Sequence, residues 1–197
     1  SELAAETALQ AIQTLEGAAA SLAERLRYAV AAANRAIYSK AQQHPEFTGM
    51  GTTLVAFLAD QERAALAHVG DSRAYLIRGR RIRQLTDDHS IVGELLRRRE
   101  ISEDAAREHP HRHVLTRALG VRRSVEPDLV ELTLEPRDVF VLCSDGLTNH
   151  VEDHEIAKLV CGNDDLQEIC EQLIDLANGR GGEDNSTVLL ARCEKSE

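Results

Sequence analysis

The sequence has no tryptophan, a single methionine, and only three tyrosines and three phenylalanines among its 197 residues. With so few aromatic rings to stack on bases and a formal net charge of −10 at pH 7, it is a poor match for a nucleic-acid binder. The same excess of acid argues against adhesion to an anionic membrane surface. No stretch approaches the ~20 apolar residues of a membrane-spanning helix. No charged-then-apolar leader opens the chain, so a cytoplasmic location is expected. The four cysteines, Cys143, Cys161, Cys170 and Cys193, are widely scattered, with no CxxC pair to supply zinc-site spacing. Cys143 and Cys170 lie within apolar patterns and read as buried reduced thiols. Internal repeats, low-complexity tracts and linkers are also missing. The first residue is Ser1 rather than methionine, so the chain is expected to be processed or part of a longer one.

What is present is enough apolar sequence, 43%, for one compact domain over 1–197. Leu3, Ala8, Ala11, Ile12 and Leu15 recur at helical spacing. After Gly17 a second series, Leu22, Leu26, Val30, Ala33, Ile37 and Ala41, runs to a stop near Pro45. Thr52 to Leu58 and Ala64 to Val69 are short apolar runs joined by Asp60-Gln61-Glu62-Arg63, and Arg73 to Ile77 is followed by a turn at Gly79. These predict an antiparallel meander, apolar on both faces and so covered on both sides. From Ile91 to His113 the sequence turns charged and helix-prone, with Ser102 placed to cap a short helix opening on Glu103 and Asp104. That segment reads as a mobile excursion from the sheet. Strands return at Val130 to Leu134 and Val139 to Cys143, around a turn at Pro136-Arg137-Asp138. Leu166, Ile169, Cys170, Leu173, Ile174 and Ala177 form a helical stripe stopped by Asn178 and Gly179, before a last strand from Thr187 to Cys193. Helices before and after hairpins, without strand–helix alternation, predict an α+β fold of two stacked antiparallel β-sheets flanked by helices.

Asp71 in Val69-Gly70-Asp71-Ser72-Arg73, Asp145 in Cys143-Ser144-Asp145-Gly146 and Asp184 in Glu183-Asp184-Asn185-Ser186 each stand where an apolar run stops or starts. Singly, each is ordinary turn chemistry, because short polar side chains bond to nearby backbone. Jointly, one sheet end gathering these carboxylates would need a cation to offset their repulsion. Carboxylate oxygens suit Mg²⁺ or Mn²⁺, which are usually held by few carboxylates and several waters. That chemistry points to activated water attacking a phosphate. Two basic clusters, Arg78 with Arg80, Arg81 and Arg83, and Arg97-Arg98-Arg99, read either as solvated surface charge or as phosphoprotein docking sites.

A set of motifs in order carries a resemblance. Gly51-Thr52-Thr53, Val69-Gly70-Asp71-Ser72-Arg73, Leu85-Thr86-Asp87-Asp88-His89-Ser90, Val114-Leu115-Thr116-Arg117-Ala118-Leu119-Gly120, Ser144-Asp145-Gly146-Leu147 and Glu183-Asp184-Asn185-Ser186-Thr187 resemble successive motifs of the protein phosphatase 2C family, in its bacterial branch. The resemblance implies two antiparallel sheets packed face to face, with metals in a cleft at one end. It implies hydrolysis of phosphoserine and phosphothreonine, in protein substrates of serine/threonine kinases, by a metal-bound hydroxide without a phosphoenzyme. Two or three Mn²⁺ or Mg²⁺ ions would serve, with Asp145 and Asp184 as ligands of the metal core and Asp71, with Asp145, at a weaker third position. Residues 91–113 would be the family's flap. His89 falls in a motif that resembles a structural one, whereas His109, His111 and His113 sit in the flap. The family's metals prefer oxygen, which disfavours zinc-type ligation by these histidines; His113 is a candidate contact with the phosphoprotein.

The sequence also departs from the family pattern. An opening strand with an Arg and an Asn-x-Asp, and an Asp-Gly-x-Gly-Gly-His turn, are both missing. They would supply the bridging Asp, a carbonyl ligand, the phosphate-binding Arg and the general-acid His, so no catalytic residue is identified within this chain. The domain is therefore expected to be N-terminally incomplete. Without a bridging carboxylate to fix a metal separation of typically ~3.5–4 Å, the chain alone should bind metal poorly. It should also leave two edge strands unpaired. One rival is a non-catalytic phosphatase-like regulatory or binding module, favoured by the absent motifs. The other is a metal-dependent nuclease or phosphodiesterase, disfavoured by the acidic charge and scarce aromatics.

Overall fold

The computed structural model describes residues 1–15, 20–182 and 184–194. The predicted break at Gly17 and Glu183 of the last acidic motif lie outside the described residues. In chain order the elements are α1 (Glu2–Thr14), α2 (Leu22–Gln43), a 3-10 turn (Pro45–Phe47), β1 (Leu54–Ala59), β2 (Arg63–Val69), β3 (Arg73–Arg78) and β4 (Arg81–Gln84). There follow α3 (Ile91–Arg97), α4 (Glu103–Arg107), β5 (Asp128–Thr133), β6 (Val139–Cys143), α5 (Asp145–Thr148), α6 (Asp153–Gly162), α7 (Leu166–Gly179) and β7 (Val188–Arg192). The strands form two antiparallel sheets, ordered β1-β2-β5 and β4-β3-β6-β7, as the α+β reading required.

The chain divides into two compact units. The first joins Ser1–Asp71 to Asp88–Thr133. Its α2 starts where the Ser21 hydroxyl accepts from the Glu24 N–H (3.2 Å) and the Glu24 carboxylate accepts from the Ser21 N–H (2.8 Å), a reciprocal cap that satisfies two orphan donors. Leu26, Val30, Ala33 and Ile37 then fall on one buried stripe. They pack with the small residues Ala4, Ala8 and Ala11 of α1 and with Ala65, Ala67 and Val69 of β2. Every β2 position from Ala64 to Val69 is buried, so this strand is covered on both faces as its apolar run predicts, whereas β1 is only half-buried.

The expected meander forms only in its first antiparallel pair, β1 with β2, and β3 lies in the other sheet. β2 pairs with β1 and β5, while β3 pairs with β4 and β6, so Gly70-Asp71-Ser72 carries the chain from one sheet to the other. Apolar runs separated by a short polar turn read alike for a hairpin and for such a crossing. Here Gly70 adopts φ +114, and a Cβ on it would lie 2.3 Å from Thr53 Cγ2, so the chain turns away where only glycine fits. The second crossing, between β5 and β6, passes Arg137 at φ 71. It is pinned by the buried Asp138, which accepts from the Glu135 N–H (2.8 Å) and from Arg78 Nε (2.8 Å) and Nη2 (2.6 Å).

The second unit joins Ser72–Asp87 to the chain from Leu134 onward. Tyr75 and Ile77 of β3 and Val139, Val141 and Cys143 of β6 pack in its core with Ile156 and Val160 of α6 and Ile169, Leu173 and Ala177 of α7. Asp165 caps α7 by accepting from the Gln167 and Glu168 N–H groups (2.9 and 3.2 Å), and the helix ends at Gly179 as read from the sequence. Cys143 is buried, as expected; Cys170 is only half-buried, and burial raises its thiol pKa. Three elements of this unit escaped the sequence reading. β4 was hidden among arginines, α5 is a single turn, and α6 buries only Ile156 and Val160, too few to show a stripe. Among the described residues no helix is long and apolar enough to cross a membrane.

Candidate functional site

Antiparallel pairing of β6 with β7 sets Cys143 opposite Val188, so the turn after β6 and the turn before β7 leave the sheet at the same end. Ser144 ties them together. Its N–H donates to Thr187 O (3.1 Å), its hydroxyl accepts from the Thr187 N–H (3.0 Å), and that hydroxyl donates to Asn185 O (3.3 Å). Gly146 permits the contact, because a Cβ there would lie 2.7 Å from Asn185 O and 3.0 Å from its carbonyl carbon. The structure thus places Asp145, the first residue of α5, and Asp184 on adjoining turns. Asp145 is half-buried; Asp184 is exposed and accepts from the Asn185 N–H at 2.7 Å.

Beside Gly146 the Ser186 hydroxyl is buried without a hydrogen-bond partner among the described residues. An orphaned hydroxyl is unusual enough to need a reason, and a metal-held water is one such partner. Carboxylate and hydroxyl oxygens make a hard donor set suited to Mg²⁺ or Mn²⁺. Among the described residues, no group of three or more His, Cys, Asp or Glu side chains is placed to hold a metal ion. An ion held by two carboxylates would keep much of its water, as Mg²⁺ commonly does.

Asp71 is half-buried and follows β2 in the first unit. The segment that precedes it is held by a histidine the sequence reading gave only a structural part. His89 is buried, its N–H donates to Gly70 O (2.7 Å), and its Nδ1 accepts from the Gly70 N–H (3.1 Å). An accepting Nδ1 leaves the proton on Nε2, which donates to Asp128 Oδ2 (3.0 Å); Arg117 holds the other oxygen, Asp128 Oδ1. Burial lowers the His89 pKa against the opposing pull of Asp128, consistent with a neutral ring. Burial would raise the Asp128 carboxyl, but the hydrogen bonds from His89 and Arg117 prevail and hold it below its ordinary value.

Against His89 lies His68 of β2, with ring centroids 4.5 Å apart and planes inclined by 37°. His68 is fully buried, and neither ring nitrogen finds a partner among the described residues. Burial first, then the neighbouring His89, pushes its pKa down to about 4. His68, Asp128 and Arg117 were not singled out from the sequence. The available signal was one histidine inside the otherwise apolar run Ala64 to Val69.

Residues 91–113 carry α3 and α4, capped by the hydroxyls of Ser90 and, as predicted, Ser102. The two ends of the segment are joined by Ile91 N–H to Val114 O (3.0 Å) and Thr116 N–H to His89 O (2.8 Å). His113 is exposed and accepts from Arg112 Nε (2.8 Å), while the rings of His109 and His111 lie 5.7 Å apart. Arg97, Arg98 and Arg99 are exposed. Arg78, in the other basic cluster, is instead committed to Asp138 and Glu135.

The chain is 45% identical over 165 residues to a serine/threonine phosphatase, stp, of Listeria monocytogenes serovar 1/2a, covering 84% of this chain and 66% of that protein. It therefore spans about two-thirds of that curated relative. The crystal structure of the Mycobacterium tuberculosis serine/threonine phosphatase PstP/Ppp superposes with a TM-score of 0.89 at 36% identity, covering 98% of this chain and 83% of that one. A structure of the PstP catalytic domain in complex with two manganese ions superposes with a TM-score of 0.85 at 33% identity, over 98% and 82% of the respective chains. The family model described as protein phosphatase 2C matches residues 1–186. With acidic turns meeting at one end of an antiparallel sheet and this match along nearly its whole length, the chain belongs to the protein phosphatase 2C family.

Proposed function

We propose that this protein is a metal-dependent phosphatase that hydrolyses phosphoserine and phosphothreonine in protein substrates of serine/threonine kinases. The observation that carries the reading is the joining of the Asp145 and Asp184 turns through Ser144, Gly146 and Asn185. The two manganese ions bound by the related PstP catalytic domain support Mn²⁺ or Mg²⁺ as the cofactor. When bound, such ions supply a water of lowered pKa as the nucleophile and offset charge on the phosphoryl oxygens. Asp145 and Asp184 hold the ions, Ser186 orients a water beside them, and Asp71 is a ligand of an accessory ion. His113, exposed on the 91–113 segment, is a candidate contact with the phosphoprotein. Four free cysteines support a reducing, cytoplasmic setting.

The chain contains no Asp-Gly-x-Gly-Gly-His turn, so in this reading its 197 residues alone bind metal weakly and turn over poorly. The test is Mn²⁺-dependent hydrolysis of a phosphothreonine peptide by the chain alone and by the chain preceded by the N-terminal segment of a family relative. Activity in the extended protein, lost in its Asp145→Asn variant, is the expected result. Silence in both folded proteins would favour a non-catalytic binding module.

A further inference from the structure

We propose that His89 is a positioning residue for Asp71: it grips both the N–H and the carbonyl of Gly70 and so sets the direction in which the next residue presents its carboxylate. This inference rests on the reading of Asp71 as a metal ligand. Gly70 is the point at which the chain leaves β2, at φ +114, with the Thr53 side chain filling the space a Cβ would need. A glycine at such a turn has little intrinsic preference for one conformation, so something else must fix it. His89 is the only residue among the described ones shown to bond both Gly70 backbone groups, at 2.7 Å and 3.1 Å.

The grip is itself held from behind. A neutral imidazole can accept at Nδ1 only if Nε2 carries the proton, and Asp128 Oδ2 at 3.0 Å selects that tautomer. Asp128 is fixed in turn by Arg117 and by strand register, which sets it opposite His68 on β2. The His68 ring packs against the His89 ring, with centroids 4.5 Å apart and planes inclined by 37°. A carboxylate, an imidazole and a backbone amide in series form the kind of outer support that orients metal ligands, here acting through the main chain instead of through a ligand side chain.

The first part of the test uses the 197-residue chain. ¹⁵N NMR of the wild type should show His89 as the Nε2–H tautomer; the Nδ1–H tautomer overturns the proposal without any variant. In His89→Ala the Gly70 amide should exchange with solvent roughly tenfold faster, the loss of about one hydrogen bond. Core amides of β2 such as Leu66 should keep their protection. His89→Asn, whose side-chain carbonyl can stand in for Nδ1, should restore most of the Gly70 protection.

Water-proton relaxation of the chain preceded by the N-terminal segment of a family relative then reads Mn²⁺ binding. Asp71→Asn and His89→Ala should each weaken the weaker Mn²⁺ site, the latter by roughly tenfold or more. The double variant should be no worse than Asp71→Asn alone. Additive losses, or unchanged Gly70 exchange in His89→Ala, overturn the positioning role while leaving Asp71 a ligand. Unchanged Mn²⁺ binding in Asp71→Asn overturns the ligand reading itself, and the positioning role with it.

Discussion

His68 makes the stability of this protein depend on pH in a way that one substitution can isolate. In the folded chain its ring is 1% exposed, and burial pushes its pKa from 6.5 to about 4. In the unfolded chain the ring titrates near its ordinary value. Between these two values the unfolded state takes up a proton that the folded state refuses. Stability is therefore fully present above pH 6.5 and is lost as pH falls toward 4. The gap between 6.5 and about 4 corresponds to about 3 kcal/mol, a large share of a typical domain's stability. His89 shifts in the same direction for the same reason, so both buried rings add to acid sensitivity. His68→Phe keeps a ring against His89 and removes the titration. It also deletes two unpartnered nitrogens, so little stability should be lost at pH 7. Urea unfolding followed by circular dichroism at intervals from pH 7.5 to 4.5 should show the wild type losing stability more steeply than the variant. Their difference should approach the figure above at the acidic end. Parallel profiles for the two proteins would refute the reasoning.

Gly146→Ala drives a Cβ to within 2.7 Å of a backbone oxygen that has no flexible end to yield, so the Asp145 and Asp184 turns should separate. About 1–3 kcal/mol of stability should be lost, together with most Mn²⁺ binding, as read by urea unfolding and water-proton relaxation. Asp138→Ala leaves the Arg78 guanidinium and the Glu135 N–H without their buried acceptor and should cost about 2–3 kcal/mol. Thermal unfolding checks it, and an unchanged Tm would show the pair to be dispensable.

The fold was legible where burial has a period. The α2 stripe from Leu26 to Ile37, the α7 stripe from Ile169 to Ala177 and the continuous run of β2 all sit where their apolar residues predict. Sheet membership was not legible. The pairing of β3 with β6 depends on residues more than 60 positions apart in sequence, and no local turn signal encodes it. Gly70-Asp71-Ser72 would serve a hairpin turn equally well, and only the pairing of β3 with β6 instead of β2 marks it as a crossing. Asp145 and Asp184 could be named in advance because each ends or begins a strand, and register alone then brings their turns together. The support behind Asp71 was hidden for the opposite reason. His68, His89, Arg117 and Asp128 are scattered over the first unit and meet only through the pairing of β2 with β5 and the return of the chain at His89.

The most direct test of the central claim is paramagnetic line broadening by Mn²⁺, which detects even weak binding residue by residue in the chain. The Gly146, Asn185 and Ser186 amide signals should broaden first, at Mn²⁺ concentrations that leave α1 and α7 untouched. Asp145→Asn and Asp184→Asn should each abolish the effect. Broadening that begins elsewhere, or that survives both substitutions, would contradict the assignment of these two aspartates as the metal-holding pair.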